Sequence, residues 1–135
     1  MNGSRTLTLC VAAVLCETMA ATAACQACDT ALLVIDVQNE YVRVLNLATI
    51  DGIHLVDRLT EVIARARAGG VPVAYIQHRD PRFSAASWEL AIPEAIAPRE
   101  GDRVIWKSSP DAFRATELLS VLQGLGIHRL LICGL

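Results

Sequence analysis

The sequence predicts an α/β fold, a three-layer α/β/α sandwich around a parallel sheet, on three observations. Short apolar runs that end in a polar residue alternate along the chain with segments of helical periodicity. Glycines stand where those helical segments stop, as C-terminal caps require. The hydrophobic fraction is 53% and the aromatic fraction only 4%, so the core is aliphatic, as in a parallel sheet covered on both faces.

The first strand is Ala31-Leu-Leu-Val-Ile-Asp36, fully apolar until its terminal charge. Leu55, Val56, Leu59, Val62, Ile63 and Ala66 then recur at helical spacing, with Asp57, Arg58, Glu61 and Arg65 between them. Gly69-Gly70 follows as a left-handed cap. Val71-Pro-Val-Ala-Tyr-Ile-Gln77 is the second strand, with Pro72 tolerated at its very start. Residues 79–99 hold three prolines and no period, and read as loop with one helical turn. Asp102-Arg-Val-Ile-Trp106 is a third strand. Thr116 to Leu125 is a second helix, with Thr116 as N-cap and Leu118, Leu119, Leu122 and Leu125 as its apolar face. After Gly126, Arg129-Leu-Leu-Ile-Cys133 is a fourth strand. This order gives βαβ units and a Rossmann-like sheet, with ligands expected at the carboxyl ends of its strands. The sheet is expected to be truncated after the fourth strand. Such a sheet exposes an apolar edge, so a homo-oligomer is the expected assembly of the folded chain.

The first thirty residues differ. Arg5 precedes an apolar run from Leu7 to Cys16, and Ala21-Thr22-Ala23 supplies a small-x-small cleavage pattern, so residues 1–24 read as a signal peptide. The run is far shorter than the ~20 residues a membrane-spanning helix needs. Periplasmic or secreted protein is expected, with no membrane contact once the signal is removed. The competing reading is a misassigned start codon and a cytoplasmic protein beginning near Asp29. Residues 25–30 form a short N-terminal segment that contains Cys25-Gln-Ala-Cys28. That spacing suits thiol redox or half a zinc site, but it precedes the first strand and has no further ligands close in sequence. The expectation there is two ordinary cysteines. The domain proper occupies residues 31–135.

At a net charge of -2 and pI ≈ 5.9, with basic and acidic residues interspersed, the composition excludes a nucleic-acid-binding face. Five cysteines, four of them in the first 28 residues, do not make a disulfide framework.

Three segments in order carry a family pattern. Leu32-Leu-Val-Ile-Asp-Val-Gln-Asn39 resembles the opening strand of the isochorismatase-like cysteine hydrolases. Ala66 to His78 is similar to their second helix–strand junction. Val104-Ile-Trp-Lys-Ser-Ser-Pro-Asp-Ala-Phe-Arg-Ala-Thr116, with Leu130 to Leu135, resembles their third and fourth strands. The resemblance covers about 105 residues. It implies hydrolysis of a small amide-type C–N bond by an Asp, a Lys and a Cys. Asp36 and Lys107 match the first two, both leaving strands at their carboxyl ends. A carboxylate there is suited to take the thiol proton and return it to the leaving amine, and an ammonium beside it favours a thiolate.

By the same resemblance the nucleophilic cysteine belongs just after the fourth strand, beyond Leu135. Cys133 is expected to be a small apolar residue within the strand. The 135 residues alone are therefore expected to be inactive. The alternatives are isochorismate-type vinyl-ether hydrolysis, in which the aspartate acts as acid without a cysteine, and a non-catalytic binding or interaction remnant.

Gln38 and Asn39 are expected to shape the loop after Asp36 by hydrogen bonding. Gln38, Tyr41, Trp88 and Phe113 are the candidates for the substrate side of the pocket, for a small-molecule substrate. No cofactor is expected. No metal is expected either, because Asp51 and His54 are not followed by the histidine cluster that metal-bearing relatives carry, His128 stands far off, and His78 fits a structural place at the second strand.

Overall fold

The computed structural model describes residues 29–48 and 54–135. The signal-like segment, the Cys25–Cys28 pair and Asp51 lie outside the described residues. Four strands, β1 (Thr30–Ile35), β2 (Val73–His78), β3 (Arg103–Lys107) and β4 (Arg129–Gly134), form one parallel sheet in the order β3-β2-β1-β4. Three helices accompany them: α1 (Asn39–Ala48), α2 (Leu55–Ala68) and α3 (Leu118–Gly124). The fold is thus the expected α/β arrangement, with β1 central.

Alternation along the strands feeds two cores. Leu32, Val34, Val73 and Tyr75 face α2 and meet Leu59, Ile63 and Ala66. Ala31, Leu33, Ala74, Ile76 and Ile105 face the other way and meet Leu118, Leu122 and Ile127 at α3. Burying both faces explains why β1 reads as an unbroken apolar run. Each fully buried Leu or Ile here contributes about 1.5–3 kcal/mol.

The glycine stops work as the sequence implies. Gly70 has φ 69°, and the bonds Gly70 N–H to Arg67 O and Val71 N–H to Ala66 O close α2 in a Schellman motif. Gly126, φ 67°, closes α3 the same way through Gln123 O and Leu122 O. Pro72 stays outside β2, and its carbonyl accepts Leu32 N–H at 2.9 Å.

Two local expectations change. Thr116 is not the N-cap of α3, because the helix begins two residues later and Glu117 holds that place without a side-chain cap. Thr116 Oγ1 instead donates to Ala112 O at 2.6 Å and accepts Leu118 N–H at 3.3 Å, bracing the turn before the helix. The second change is α1, a helix that the local pattern does not announce. Its first amides are satisfied from a distance: Asn39 N–H donates to Ala91 O and Glu40 N–H to Glu89 O. The loop from Arg79 to Asp102 thereby caps α1. That loop contains one 3-10 turn, Glu94–Ile96, where Tyr75 Oη donates to Ile96 O. Its far end is tied down by Arg67, which pairs with Asp102.

Among the described residues, the outer edge of β4 has no partner strand, and Ile132 on it is 65% exposed. No described helix is long and apolar enough to cross a membrane.

Candidate active site

Asp36 leaves β1 at its carboxyl end with φ 57°, a left-handed conformation that Asp tolerates better than most residues. Its N–H still donates to Ile76 O at 2.8 Å, and Asp36 O accepts Gln38 N–H at 2.9 Å, so the chain is held on both sides of the strained residue. Such strain costs about 1–3 kcal/mol and persists only where the surroundings impose it. Here it turns the carboxylate over the sheet's rim.

Lys107 ends β3, two strands away. Strands lie about 4.8 Å apart, so its backbone stands roughly 10 Å from that of β1. Only a long side chain crosses that gap. Lys107 does so, and its Nζ sits 2.8 Å from Asp36 Oδ2. The lysine is 3% exposed and donates also to Ser109 O at 3.3 Å. A buried ammonium of this kind is stable only while its counter-charge stays in place. Asp36 Oδ1 is buried too and has no hydrogen-bond partner among the described residues. The pair therefore presents one carboxylate oxygen that is fixed and desolvated, with nothing yet bonded to it.

β4 delivers the chain to the same rim. Gly134 lies opposite Ile35 in the register, with φ 131°, and a Cβ there would fall 2.0 Å from Ile35 O. Only glycine permits this approach. Leu135 N–H then donates to Ile35 O at 3.0 Å, so the chain reaches position 135 beside Asp36. Cys133 points into the α2-side core. Its Sγ donates to Leu33 O at 3.5 Å, and burial pushes its thiol above the ordinary range. Those are features of a packed thiol, not an activated one.

Gln38 is 0% exposed. Its Oε1 accepts His78 N–H at 2.8 Å, and its Nε2 donates to His78 O and Leu90 O, both at 3.1 Å. The amide is committed to backbone groups and braces the turn after Asp36. Asn39 does the shaping expected of it, donating from Nδ2 to Trp88 O at 2.9 Å.

Tyr41, in the first turn of α1, is half-buried. Burial first, then the Asp80 and Asp36 carboxylates, raise its phenol above the usual range. Trp88 is 59% and Phe113 44% exposed, and neither lines a described cavity. Of the four residues expected on the substrate side, Gln38 is buried, Tyr41 is partly buried, and Trp88 and Phe113 lie at the surface. His54 sits at the N-cap of α2, His78 at the end of β2, and His128 donates its N–H to Asp29 O at the opposite end of the sheet.

The sequence reading did not single out the Asp80–Arg82 ion pair just after β2. Arg82 binds Asp80 through both side chain and backbone, which lowers the Asp80 carboxyl to about 2. It also missed Gly134, whose signal was available: a glycine in a strand marks a close backbone approach.

The sequence model of the Isochorismatase domain matches residues 30–135. Streptothricin hydrolase of Streptomyces noursei is 33% identical over 77% of this chain and 38% of its own. The secreted isochorismatase effector Isc1 of Verticillium dahliae is 26% identical over 78% of this chain and 57% of its own. Among solved structures, N-carbamoylsarcosine amidase from Thermoplasma acidophilum superposes with a TM-score of 0.67 at 29% identity, over 78% of this chain and 66% of that one. The chain spans less than two thirds of the length of the curated relatives it matches. With a matched segment that runs from the first residue of β1 through β4 and takes in both Asp36 and Lys107, the chain belongs to the isochorismatase family.

Proposed function

We propose that the full protein is a cysteine-dependent hydrolase of a small amide-type C–N bond, in which Asp36 and Lys107 supply two of three catalytic groups. The observation that carries this reading is the 2.8 Å contact between Lys107 Nζ and Asp36 Oδ2 with the buried Oδ1 left unbonded. By family resemblance the third group is a cysteine on the turn after β4, and β4 brings the chain to that rim through Gly134.

Oδ1 takes the thiol proton as the sulfur attacks the amide carbon. The C–N bond then breaks, and the same proton passes from Asp36 to the departing nitrogen. Water next attacks the thioester, giving one proton to Asp36, which returns it to the sulfur as the acid leaves. Lys107 holds the carboxylate in place and offsets the negative charge that develops beside it. Amide chemistry is supported by the amidase among the matching structures, and export by the basic start, apolar run and small-residue pattern of residues 1–24.

The test is turnover by full-length protein of a panel of small primary amides and N-carbamoyl compounds, followed as released ammonia or amine. At least one should be hydrolysed, and Asp36→Asn should lower kcat by about 10²–10⁴, the usual weight of general acid–base catalysis. Turnover that survives in Asp36→Asn sinks the proposal.

A further inference from the structure

A second recess lies on the other face of the edge strand. In β3, Ile105 and Lys107 face α3, whereas Trp106 pairs in register with Gln77 and faces the α2 side. There the loop after β2 stands off from the sheet and leaves two cavities of about 410 and 310 Å³. Both are bounded by Ala85, Leu90 and Trp106, so they adjoin. Their volumes fit a small organic molecule.

The recess is preformed. Leu90, which lines both cavities, is fixed through its carbonyl, which accepts from two buried amides, Gln38 Nε2 at 3.1 Å and Gln77 Nε2 at 2.8 Å. The apolar part of the walls comes from Phe83, Leu90 and Trp106 in one cavity and Ile92 in the other; the first is also lined by Ser108 and by Asp80, whose carboxylate is paired with Arg82.

Two polar groups in this recess lack what such groups ordinarily find. Ser87 Oγ is buried with no hydrogen-bond partner among the described residues, a state that costs about 1–3 kcal/mol. The Arg79 guanidinium lies over the Trp106 ring, 5.1 Å from its centroid, and makes no ion pair with a described carboxylate. Its neighbour Arg82 is, by contrast, neutralised by Asp80 at 2.6 Å. A guanidinium lying on an aromatic face keeps its in-plane N–H fork free for a bidentate carboxylate.

We propose that this recess binds a small carboxylate with a planar, apolar body, separately from the Asp36–Lys107 pair. The carboxylate sits in the plane of the Arg79 guanidinium, the body lies along Phe83, Leu90 and Trp106, and a polar ring substituent satisfies Ser87 Oγ. The aromatic walls favour a flat body because offset and edge contacts suit it. The proposal does not depend on the catalytic reading, since it uses neither Asp36 nor Lys107.

The experiment titrates full-length, ¹⁵N-labelled protein with benzoate, 3- and 4-hydroxybenzoate, benzamide and inorganic phosphate. Benzoate should bind saturably and shift the Trp106 indole N–H and the Ser87 amide. Benzamide should bind about tenfold more weakly, and phosphate should not saturate these signals. Arg79→Gln, a change at an exposed side chain, should keep the wild-type melting temperature and lose about tenfold in benzoate affinity. One hydroxybenzoate should bind more tightly than benzoate, and Ser87→Ala should abolish that advantage alone. Equal binding of benzoate and benzamide, unchanged affinity in Arg79→Gln, or shifts centred on Tyr41 would overturn the site. Failure of both hydroxybenzoates to improve on benzoate would overturn the part assigned to Ser87.

Discussion

Gln38 and His78 are joined by two hydrogen bonds, Oε1 accepting the His78 N–H at 2.8 Å and Nε2 donating to the His78 carbonyl at 3.1 Å. The side chain behaves as one more backbone unit, extending the β1–β2 ladder past the point where Asp36 turns away. Replacing it with leucine leaves the His78 amide without this partner, whereas the Leu90 carbonyl keeps its bond from Gln77 Nε2. At about 1–3 kcal/mol for an unsatisfied buried group, Gln38→Leu should lower stability by about that amount. A fall in the urea midpoint with unchanged slope would show it.

The Asp36–Lys107 pair makes a non-additive prediction. Lys107→Met strands a carboxylate, and Asp36→Asn strands a lysine that is 3% exposed. Each single change should cost about 3–5 kcal/mol, as breaking a buried pair does. Asn keeps the tolerance for φ 57° that the position demands. The double variant removes both charges and should recover most of that stability while staying inactive. A double-mutant cycle in chemical denaturation measures the coupling, and strictly additive losses would contradict a pair held by mutual charge.

Gly134 admits no side chain. In Gly134→Ala the new methyl would need to occupy space 2.0 Å from Ile35 O, at a φ of 131° that L-residues avoid. The strands must part where they flank Asp36. Thermal unfolding should show a loss of at least about 3 kcal/mol, together with lost turnover, whereas Cys133→Ala, one residue earlier, should retain turnover.

The Asp80–Arg82 contact gives the acid limb. Arg82's bonds hold the Asp80 carboxyl at about 2, below its ordinary 3.8. A depressed folded-state value means that the stabilisation is complete above pH ~4 and is lost as pH falls through about 2. Because Arg82 is largely exposed, the effect is local: its amide, which donates to Asp80 Oδ1 at 2.9 Å, should titrate with a midpoint near 2 by NMR. A midpoint at the ordinary carboxylate value would contradict the bidentate contact.

The strands were legible because an apolar run of five or six residues bounded by glycine or charge has few other uses in a chain this size. The caps at Gly70 and Gly126 were legible because a left-handed residue after a helix asks for glycine. Helix α1 was not: Tyr41, Val42 and Val44 are indifferent helix formers, and the carbonyls that satisfy its first turn come from Glu89 and Ala91, some fifty residues on. Thr116 misled because an N-cap residue and a turn-bracing hydroxyl look alike in sequence. Asp36 and Lys107 stood out only inside a resembling pattern, and their contact across β2 is a consequence of strand order that periodicity does not encode. Trp88 and Phe113 were chosen as aromatic, yet exposure is decided by the loops that carry them.

The most direct measurement is intact-protein mass spectrometry of full-length enzyme quenched during turnover of an amide substrate. The account predicts an added acyl mass on a single cysteine that lies beyond β4 and is not Cys133, with the adduct absent in Asp36→Asn. Turnover without any acyl adduct, undiminished when that cysteine is replaced by alanine, would contradict a cysteine hydrolase and remove the role assigned to the Asp36–Lys107 pair.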